Sequence, residues 1–162
     1  MKKCVFSGTF DPPTVGHLSV IEKCLQIFDG VVVAVMVNPD KTPLLTMDER
    51  ILLLNKLFDN DKRVEIITFD GAAVDLLRKV NTPFYVRGVR NTVDFEYENA
   101  NHFASKKLYG EIVTIYIPAE QEVLHISSSL VKNSVKFKKD YKSYIPDKIF
   151  DTLLKILEQK NV

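Results

Sequence analysis

The sequence predicts an α/β protein built on a Rossmann-like, doubly wound sheet of five parallel strands with helices on both faces. Short apolar runs alternate with segments of helical periodicity along the whole chain, which is the element order of a parallel sheet. The runs are nearly continuous in apolar residues, as expected for strands covered on both faces. The 162 residues, 46% of them hydrophobic and 27% charged, contain no repeat or recognisable linker. Residues 1–162 are therefore predicted to form a single domain.

The five predicted strands are the apolar runs themselves. They cover residues 2–7, 30–37, 63–68, 84–87 and 112–117. Ligands of doubly wound sheets bind at the carboxyl ends of the strands, close to the point where the strand order reverses. A site is therefore expected from the loops that follow the strands, which are residues 8–17, 38–45, 69–74, 87–91 and 118–129.

Helical periodicity fills the segments between the strands. The second helix is expected to begin at a capping box, with Thr46 as N-cap and Glu49 three residues later. The fourth helix has an apolar side formed by Val93, Tyr97, Ala100, Ala104 and Leu108. The last third of the chain is predicted to be helical, with helices that begin near Ser128 and Pro146.

Composition and charge exclude several classes of protein. A net charge of +1 gives no reason to expect a nucleic acid partner. The longest apolar run, residues 31–37, is far shorter than the ~20 residues of a membrane helix. Neither it nor the N-terminus resembles a secretory signal, so a cytoplasmic location is expected. Cys4 and Cys24 are interpreted as buried, reduced thiols, and the three histidines lack the spacing of a protein-held metal site.

The strongest functional motif lies between residues 8 and 17. Gly8-Thr9-Phe10-Asp11-Pro12 follows the first strand, and Thr14-x-Gly16-His17 opens the first helix. Backbone N–H groups at a helix start attract anions, and the imidazole of His17 adds a donor beside them. This layout favours a nucleoside triphosphate as ligand. The alternative is that His17 only forms a hydrogen bond with the backbone at the helix start.

A second anion site is expected at Ser127-Ser128-Ser129, which follows the fifth strand and opens a helix. Taken alone, this serine run favours an ordinary Ser N-cap. Two such anion sites on one sheet favour a polyphosphate ligand.

Basic side chains accompany these motifs. Arg87-Gly88-Val89-Arg90 follows the fourth strand, and a turn at Gly88 is expected to aim both arginines at a phosphate. Solvated loop arginines are the alternative, and Lys41 alone would be a surface lysine. Glu98 is interpreted either as a ligand contact or as the partner of a lysine. Five further lysines are interpreted as a solvated surface: Lys132, Lys136, Lys138, Lys139 and Lys142.

Taken in order, these motifs resemble the bacterial phosphopantetheine adenylyltransferases, of the HxGH-type nucleotidyltransferase superfamily. The resemblance runs along essentially the whole chain and also includes Thr46-x-x-Glu49-Arg50 and residues 94–98 and 126–132. It implies the transfer of the adenylyl group of ATP to 4′-phosphopantetheine, which gives 3′-dephospho-coenzyme A and pyrophosphate. It also implies Mg²⁺ held through the ATP phosphates, with no protein ligand to the metal, and a homohexamer.

The resemblance assigns roles to individual positions. The catalytic group would be His17, Lys41 and Arg90. Phosphopantetheine would be bound by Thr9, Lys41, Ala73 and Arg87. ATP would be bound by Thr9, Phe10, His17, Gly88, Val89, Arg90, Glu98 and the segment Val123, Leu124, His125, Ile126, Ser127, Ser128 and Ser129. Val123 departs from the resemblance, because many relatives carry an aromatic side chain there.

Three other functions remain open at this point. A related nucleotidyltransferase could use nicotinamide mononucleotide or a phospho-alcohol as acceptor. A nucleotide sensor would bind ATP without releasing pyrophosphate. A fragment of an aminoacyl-tRNA synthetase is disfavoured, because the chain has no room for an anticodon-binding domain.

Overall fold

A five-stranded parallel sheet forms the centre of the molecule in the computed structural model, which describes residues 1–37, 42–59 and 61–161. The strands are β1 (Lys3–Gly8), β2 (Gly30–Met36), β3 (Val64–Phe69), β4 (Phe84–Val89) and β5 (Val113–Pro118). The helices are α1 (Val15–Ile27), α2 (Met47–Leu57), α3 (Ala73–Val80), α4 (Thr92–Leu108), α5 (Ser128–Lys136) and α6 (Asp147–Gln159). Short 3₁₀ turns cover Gln121–Val123 and Lys142–Tyr144.

The strand order β3-β2-β1-β4-β5 confirms the predicted doubly wound fold. The order reverses between β1 and β4, so the ligand crevice of such a sheet lies above these two strands. Only two residue pairs join β1 to β4, Val5 with Tyr85 and Phe6 with Val86, whereas six pairs join β1 to β2. The two strands therefore separate toward their carboxyl ends, where the crevice opens.

Apolar packing covers the sheet on both faces. One face buries Cys4, Phe6 and Val33 against α1 and α2, and Cys24 lies in the same cluster. The other face buries Val5 and Val32 against α3. A third cluster joins α2, α5 and α6. Both cysteines are free and fully buried, as predicted.

Capping boxes form the starts of two helices, α1 and α2. Thr46 accepts a hydrogen bond from the Glu49 N–H, and the Glu49 carboxylate accepts one from the Thr46 N–H. The predicted capping box is thus confirmed. The start of α1 uses the same arrangement with Thr14 and His17.

One expectation about the region around β4 is wrong. No turn occurs at Gly88, because β4 continues through Val89 in register with Pro118. The predicted apolar side of α4 does not pack into the core. No residue of α4 is buried, and Val93 and Leu108 are 73% and 65% exposed. An amphipathic stripe ordinarily faces a core, so this one is left without a partner within the described chain.

In the part of the chain that the structure describes, no helix combines the length and the apolar character needed to cross a bilayer.

Candidate active site

The loop after β1 places an aromatic platform beneath His17. Phe10 has a left-handed backbone conformation, with φ of 48°, and its ring is fully buried. A non-glycine residue in this region is strained and persists only where its surroundings hold it. The ring centroids of Phe10 and His17 are 4.9 Å apart, and a Cβ on Gly8 would lie 3.3 Å from the Phe10 ring. Phe10 therefore supports the imidazole from below, and its ring is not open to a ligand.

The orientation of His17 is set by the start of its own helix. The backbone N–H of Thr14 donates to Nδ1 of His17 over 3.0 Å. Because Nδ1 accepts this hydrogen bond, the neutral ring carries its proton on Nε2. Burial, followed by the positive charges of Arg90 and Arg87, lowers the pKa of His17 to about 4. At neutral pH the residue is thus an uncharged hydrogen-bond donor. The capping interaction expected as the alternative is present, and it leaves Nε2 available for a ligand.

This environment makes stability depend on pH. The folded pKa of about 4 lies below the ordinary value of 6.5, so between these values the unfolded chain binds the proton more readily. We therefore expect His17 to lower the free energy of unfolding between pH 7 and pH 5. The decrease should be only about 1–2 kcal/mol, because the ring is partly buried. Urea unfolding of the protein and of His17→Asn at both pH values measures it. An identical pH dependence in the two proteins would contradict the prediction.

Asp11 joins three segments around the site. Its carboxylate accepts hydrogen bonds from the N–H groups of Leu44 and Leu45, at 3.0 and 2.8 Å. Arg50 Nε and Lys132 Nζ lie 3.7 and 2.5 Å from its oxygens. The solvated role expected for Lys132 is therefore wrong, because this ammonium pairs with a buried carboxylate. Asp11 fixes the loop after β1 to the start of α2 and to α5.

The start of α5 lies against the loop after β1. Ser128 Oγ donates to the carbonyl of Pro12 over 2.8 Å, and a Cβ on Gly16 would lie 3.8 Å from the carbonyl of Ile126. Ser127 is the N-cap and accepts from the Leu130 N–H. The N–H groups of Ser128 and Ser129 belong to the first turn and have no partner within the helix. The two predicted anion sites are therefore adjacent.

The segment before α5 is less enclosed. Val123 ends the 3₁₀ turn, and Leu124 is 40% exposed. The exposed His125 ring meets the ring of Tyr144 edge to face, with centroids 5.8 Å apart. These side chains border the site from the outside.

Arg87 occupies the gap between β1 and β4. Its Nη1 donates to the carbonyl of Ser7 over 2.8 Å and also reaches the hydroxyls of Ser7 and Tyr85. Its Nη2 donates to Glu98 over 2.5 Å. The buried Nε has no hydrogen-bond partner in the described part of the chain. Buried donors are nearly always paired, so this nitrogen is an exception within the site.

Arg90 is held separately at the rim. Its guanidinium pairs with Asp94 through Nε at 2.8 Å and Nη2 at 3.3 Å. The hydrogen bond from Arg90 lowers the pKa of Asp94 below its ordinary value. Between the arginines, Gly88 is packed so closely that a Cβ would lie 3.0 Å from Val20. The structure thus gives Arg87 and Arg90 different carboxylate partners, and they do not converge on each other.

Beside Arg87, a groove of about 280 Å³ separates α4 from the sheet. Sequence reasoning identified three of its wall residues, Ala73, Arg87 and Glu98. It did not single out the polar groups of Tyr85, Asn101, His102, Ser105 and Thr114, which also line the groove. The signal was present on α4, where residues 98, 101, 102 and 105 follow helical spacing. Thr9 is partly buried and directly follows β1, at the crevice between β1 and β4. Lys41 lies outside the described residues.

Adjacent candidate anion sites at the switch point, a neutral histidine and an adjoining groove agree with a nucleotidyltransferase. The model of the cytidylyltransferase-like family matches residues 5–134. A phosphopantetheine adenylyltransferase from Limosilactobacillus reuteri is 36% identical over 162 residues, which is 100% of this chain and 94% of that protein. Another from Alkaliphilus metalliredigens is 34% identical over 155 residues, 96% of this chain and 99% of that protein. The chain therefore belongs to the phosphopantetheine adenylyltransferases of the cytidylyltransferase-like family.

Solved structures support the fold. The nicotinic acid mononucleotide adenylyltransferase of Plasmodium falciparum superposes with a TM-score of 0.68 at 19% identity, over 97% of both chains. At this level of identity the similarity concerns the fold alone.

Proposed function

We propose that this protein transfers the adenylyl group of ATP to 4′-phosphopantetheine, giving 3′-dephospho-coenzyme A and pyrophosphate, the penultimate step of coenzyme A synthesis. The end-to-end match to relatives of that name carries the proposal. The reaction needs no protein nucleophile, because an oxygen of the acceptor phosphate attacks the α-phosphorus of ATP. The bond from that phosphorus to the bridging oxygen breaks, and pyrophosphate leaves with its electron pair. Catalysis then consists of positioning and of charge stabilisation.

His17 acts on the phosphorus that is attacked. Its Nε2–H donates to an α-phosphate oxygen, where negative charge develops as the new bond forms. The hydrogen bond from Thr14 to Nδ1 supports this role, because it fixes the tautomer that carries the proton on Nε2. A neutral donor also needs no proton release when the products leave.

ATP and pyrophosphate bind between the loop after β1 and the start of α5. The free N–H groups of Ser128 and Ser129, together with the partial positive charge of the helix start, suit the leaving pyrophosphate. Arg90 binds the triphosphate at the rim of the site. Its guanidinium, now paired with Asp94, would then pair with a phosphate instead. The nucleotide is expected to contact Thr9 and the backbone of residues 88–89 and 123–126.

Arg87 receives the acceptor phosphate. Its place in the lining of the groove supports this role. Lys41 and Ala73 are proposed to complete the acceptor site, as the resemblance implies. Glu98 was expected to contact ATP, but its pairing with Arg87 supports a role on the acceptor side.

We further propose that Mg²⁺ enters with ATP, bound to the triphosphate rather than to a protein carboxylate. When bound, the ion neutralises phosphate charge and so favours the approach of a second anion. The carboxylates around the site support this, because Asp11, Asp94 and Glu98 each have a cationic partner. A reaction that consumes ATP also agrees with the expected cytoplasmic location.

The proposed reaction is tested by measuring pyrophosphate release from ATP with 4′-phosphopantetheine, with and without magnesium. Release is expected only when both the acceptor and the metal are present. Nicotinamide mononucleotide and a simple phospho-alcohol are the matched acceptors, and faster release with either would overturn the acceptor assignment. ATP binding without release with any acceptor would instead identify a sensor.

A homohexamer is the proposed assembly, and the exposed apolar side of α4 supports a contact between copies of the chain. We expect the double variant Val93→Glu/Leu108→Glu to sediment as a smaller species than the unaltered protein. Both side chains are largely exposed, so the secondary structure of the chain should remain unchanged by circular dichroism. The exposed Lys107→Glu is the matched control. An unchanged molar mass of the double variant by light scattering would contradict this use of α4.

A further inference from the structure

The groove beside Arg87 runs between α4 and the sheet, and its lining changes along its length. One wall is the side of α4 that carries Glu98, His102 and Ser105, which span about 10 Å at 1.5 Å per residue. The opposite wall follows the sheet from Arg87 down to Ile112. The upper end holds the Arg87–Glu98 pair. A ligand whose phosphate binds there must extend its remaining atoms down the groove.

His102 is fixed halfway along this groove. Its Nδ1 forms a 2.8 Å hydrogen bond with Thr114 Oγ1, which orients the ring. Thr114 is paired with Tyr85 in the sheet, two residues before Arg87, so it lies about 7 Å below the level of Arg87. Nε2 forms no hydrogen bond within the described part of the chain. Because the residue lines the groove and its Nδ1 is already paired, Nε2 is the nitrogen that the imidazole has left for a ligand there.

We propose that His102, oriented by Thr114, determines acceptor specificity by forming a hydrogen bond through Nε2 with the amide of the acceptor arm nearest the phosphate. In 4′-phosphopantetheine, the carbonyl of that amide lies about 6 Å from phosphorus in an extended arm, which matches the level of His102 below Arg87. The inference rests on the proposed function. His102 binds and aligns the arm and is not a catalytic residue, since it is distant from the reacting phosphates.

Two amide substitutions separate the ring nitrogens. The amide of Gln reaches the position of Nε2, whereas the shorter Asn reaches that of Nδ1 and retains only the contact with Thr114. We expect His102→Ala and His102→Asn to raise the KM and the Kd for 4′-phosphopantetheine about 5- to 10-fold, as for the loss of one hydrogen bond. His102→Gln should stay within about twofold of the unaltered protein. In all three variants, kcat and the KM for ATP should change less than twofold.

Binding is measured by calorimetry without ATP, so that the result does not depend on turnover. Thr114→Val should weaken acceptor binding less than His102→Ala, because it releases the ring without removing it. An acceptor shortened just beyond the first amide should retain the His102 effect, whereas an alkyl phosphate of equal length should bind all variants equally. Lys106→Ala, on the exposed part of α4, is the control.

The two proposals fail in different ways. No pyrophosphate release by the unaltered protein with 4′-phosphopantetheine would overturn the proposed function. Normal release with equal acceptor affinities for the Gln, Asn and Ala variants would overturn the role of His102 and leave the function intact. A loss confined to kcat would likewise overturn it, since a residue that recognises the arm acts on binding.

Discussion

Replacing His17 with alanine is expected to lower the turnover about 10²- to 10³-fold, the usual cost of losing one donor to a developing oxyanion. ATP affinity should stay within a few-fold, because the backbone N–H groups of α5 and the rim arginine remain. Pre-steady-state pyrophosphate release measures the chemical step, and calorimetry with ATP measures binding. Turnover should fall far more than ATP affinity, because the Nε2 donor acts mainly on the charge that develops in the transition state.

His17→Asn is the control that separates catalysis from folding. The Asn amide can still accept the hydrogen bond from the Thr14 N–H and keep the capping box, but it cannot reach the position of Nε2. We therefore expect it to fold with near-normal stability at neutral pH and to remain as slow as the alanine variant. Near-normal turnover in either protein would remove His17 from the proposed mechanism.

Arg87→Ala is expected to reduce kcat/KM for the acceptor by about 10²- to 10³-fold, with the KM for ATP little changed. A guanidinium in contact with phosphate contributes charge-assisted hydrogen bonds that neutral side chains do not replace. The same substitution leaves the largely buried Glu98 carboxylate without its cation and should cost about 2–3 kcal/mol of stability.

The double variant Arg87→Ala/Glu98→Gln distinguishes these two effects. Removing the carboxylate charge should recover most of the stability measured by urea unfolding, whereas acceptor activity should remain low. Recovery of activity together with stability would mean that Arg87 acts only as the partner of Glu98. Arg87→Lys should also be impaired, because an ammonium cannot contact Ser7, Glu98 and a phosphate with one planar fork.

Much of the fold and part of the site could be predicted from local sequence signals. The apolar runs identified all five strands, and the spacing of Thr46 and Glu49 identified a helix start, because both signals depend on neighbouring residues. The interval between Gly8 and His17 likewise predicted the loop after β1 and the helix start at which an anion site is proposed. The rule that ligands bind at the carboxyl ends of parallel strands predicted that Ser128 would lie on the same side of the sheet as this loop.

The errors arose where a residue's role depends on distant partners. Gly88 was expected to form a turn, but the pairing of β4 with β5 carries the strand past it and directs Arg87 toward Ser7 and Glu98. Lys132 looked like one of several surface lysines until the fold brought Asp11 beside it. The sequence analysis did not predict the groove side of α4 for a related reason. Its polar residues indicate a binding site only when the fold places Thr114 of β5 beside His102.

The separation of β1 from β4 has a mechanical consequence. The halves β3-β2-β1 and β4-β5 are joined by a backbone ladder of two residue pairs. In the gap just beyond this ladder, the side chain of Arg87 bridges them by donating to the carbonyl of Ser7. The seam of the sheet is thus weakest at the crevice between these two strands. In the proposed complex, a nucleotide on the β1 side and an acceptor on the β4 side would contact each other across this seam. The two bound ligands would thereby hold the two halves of the sheet together.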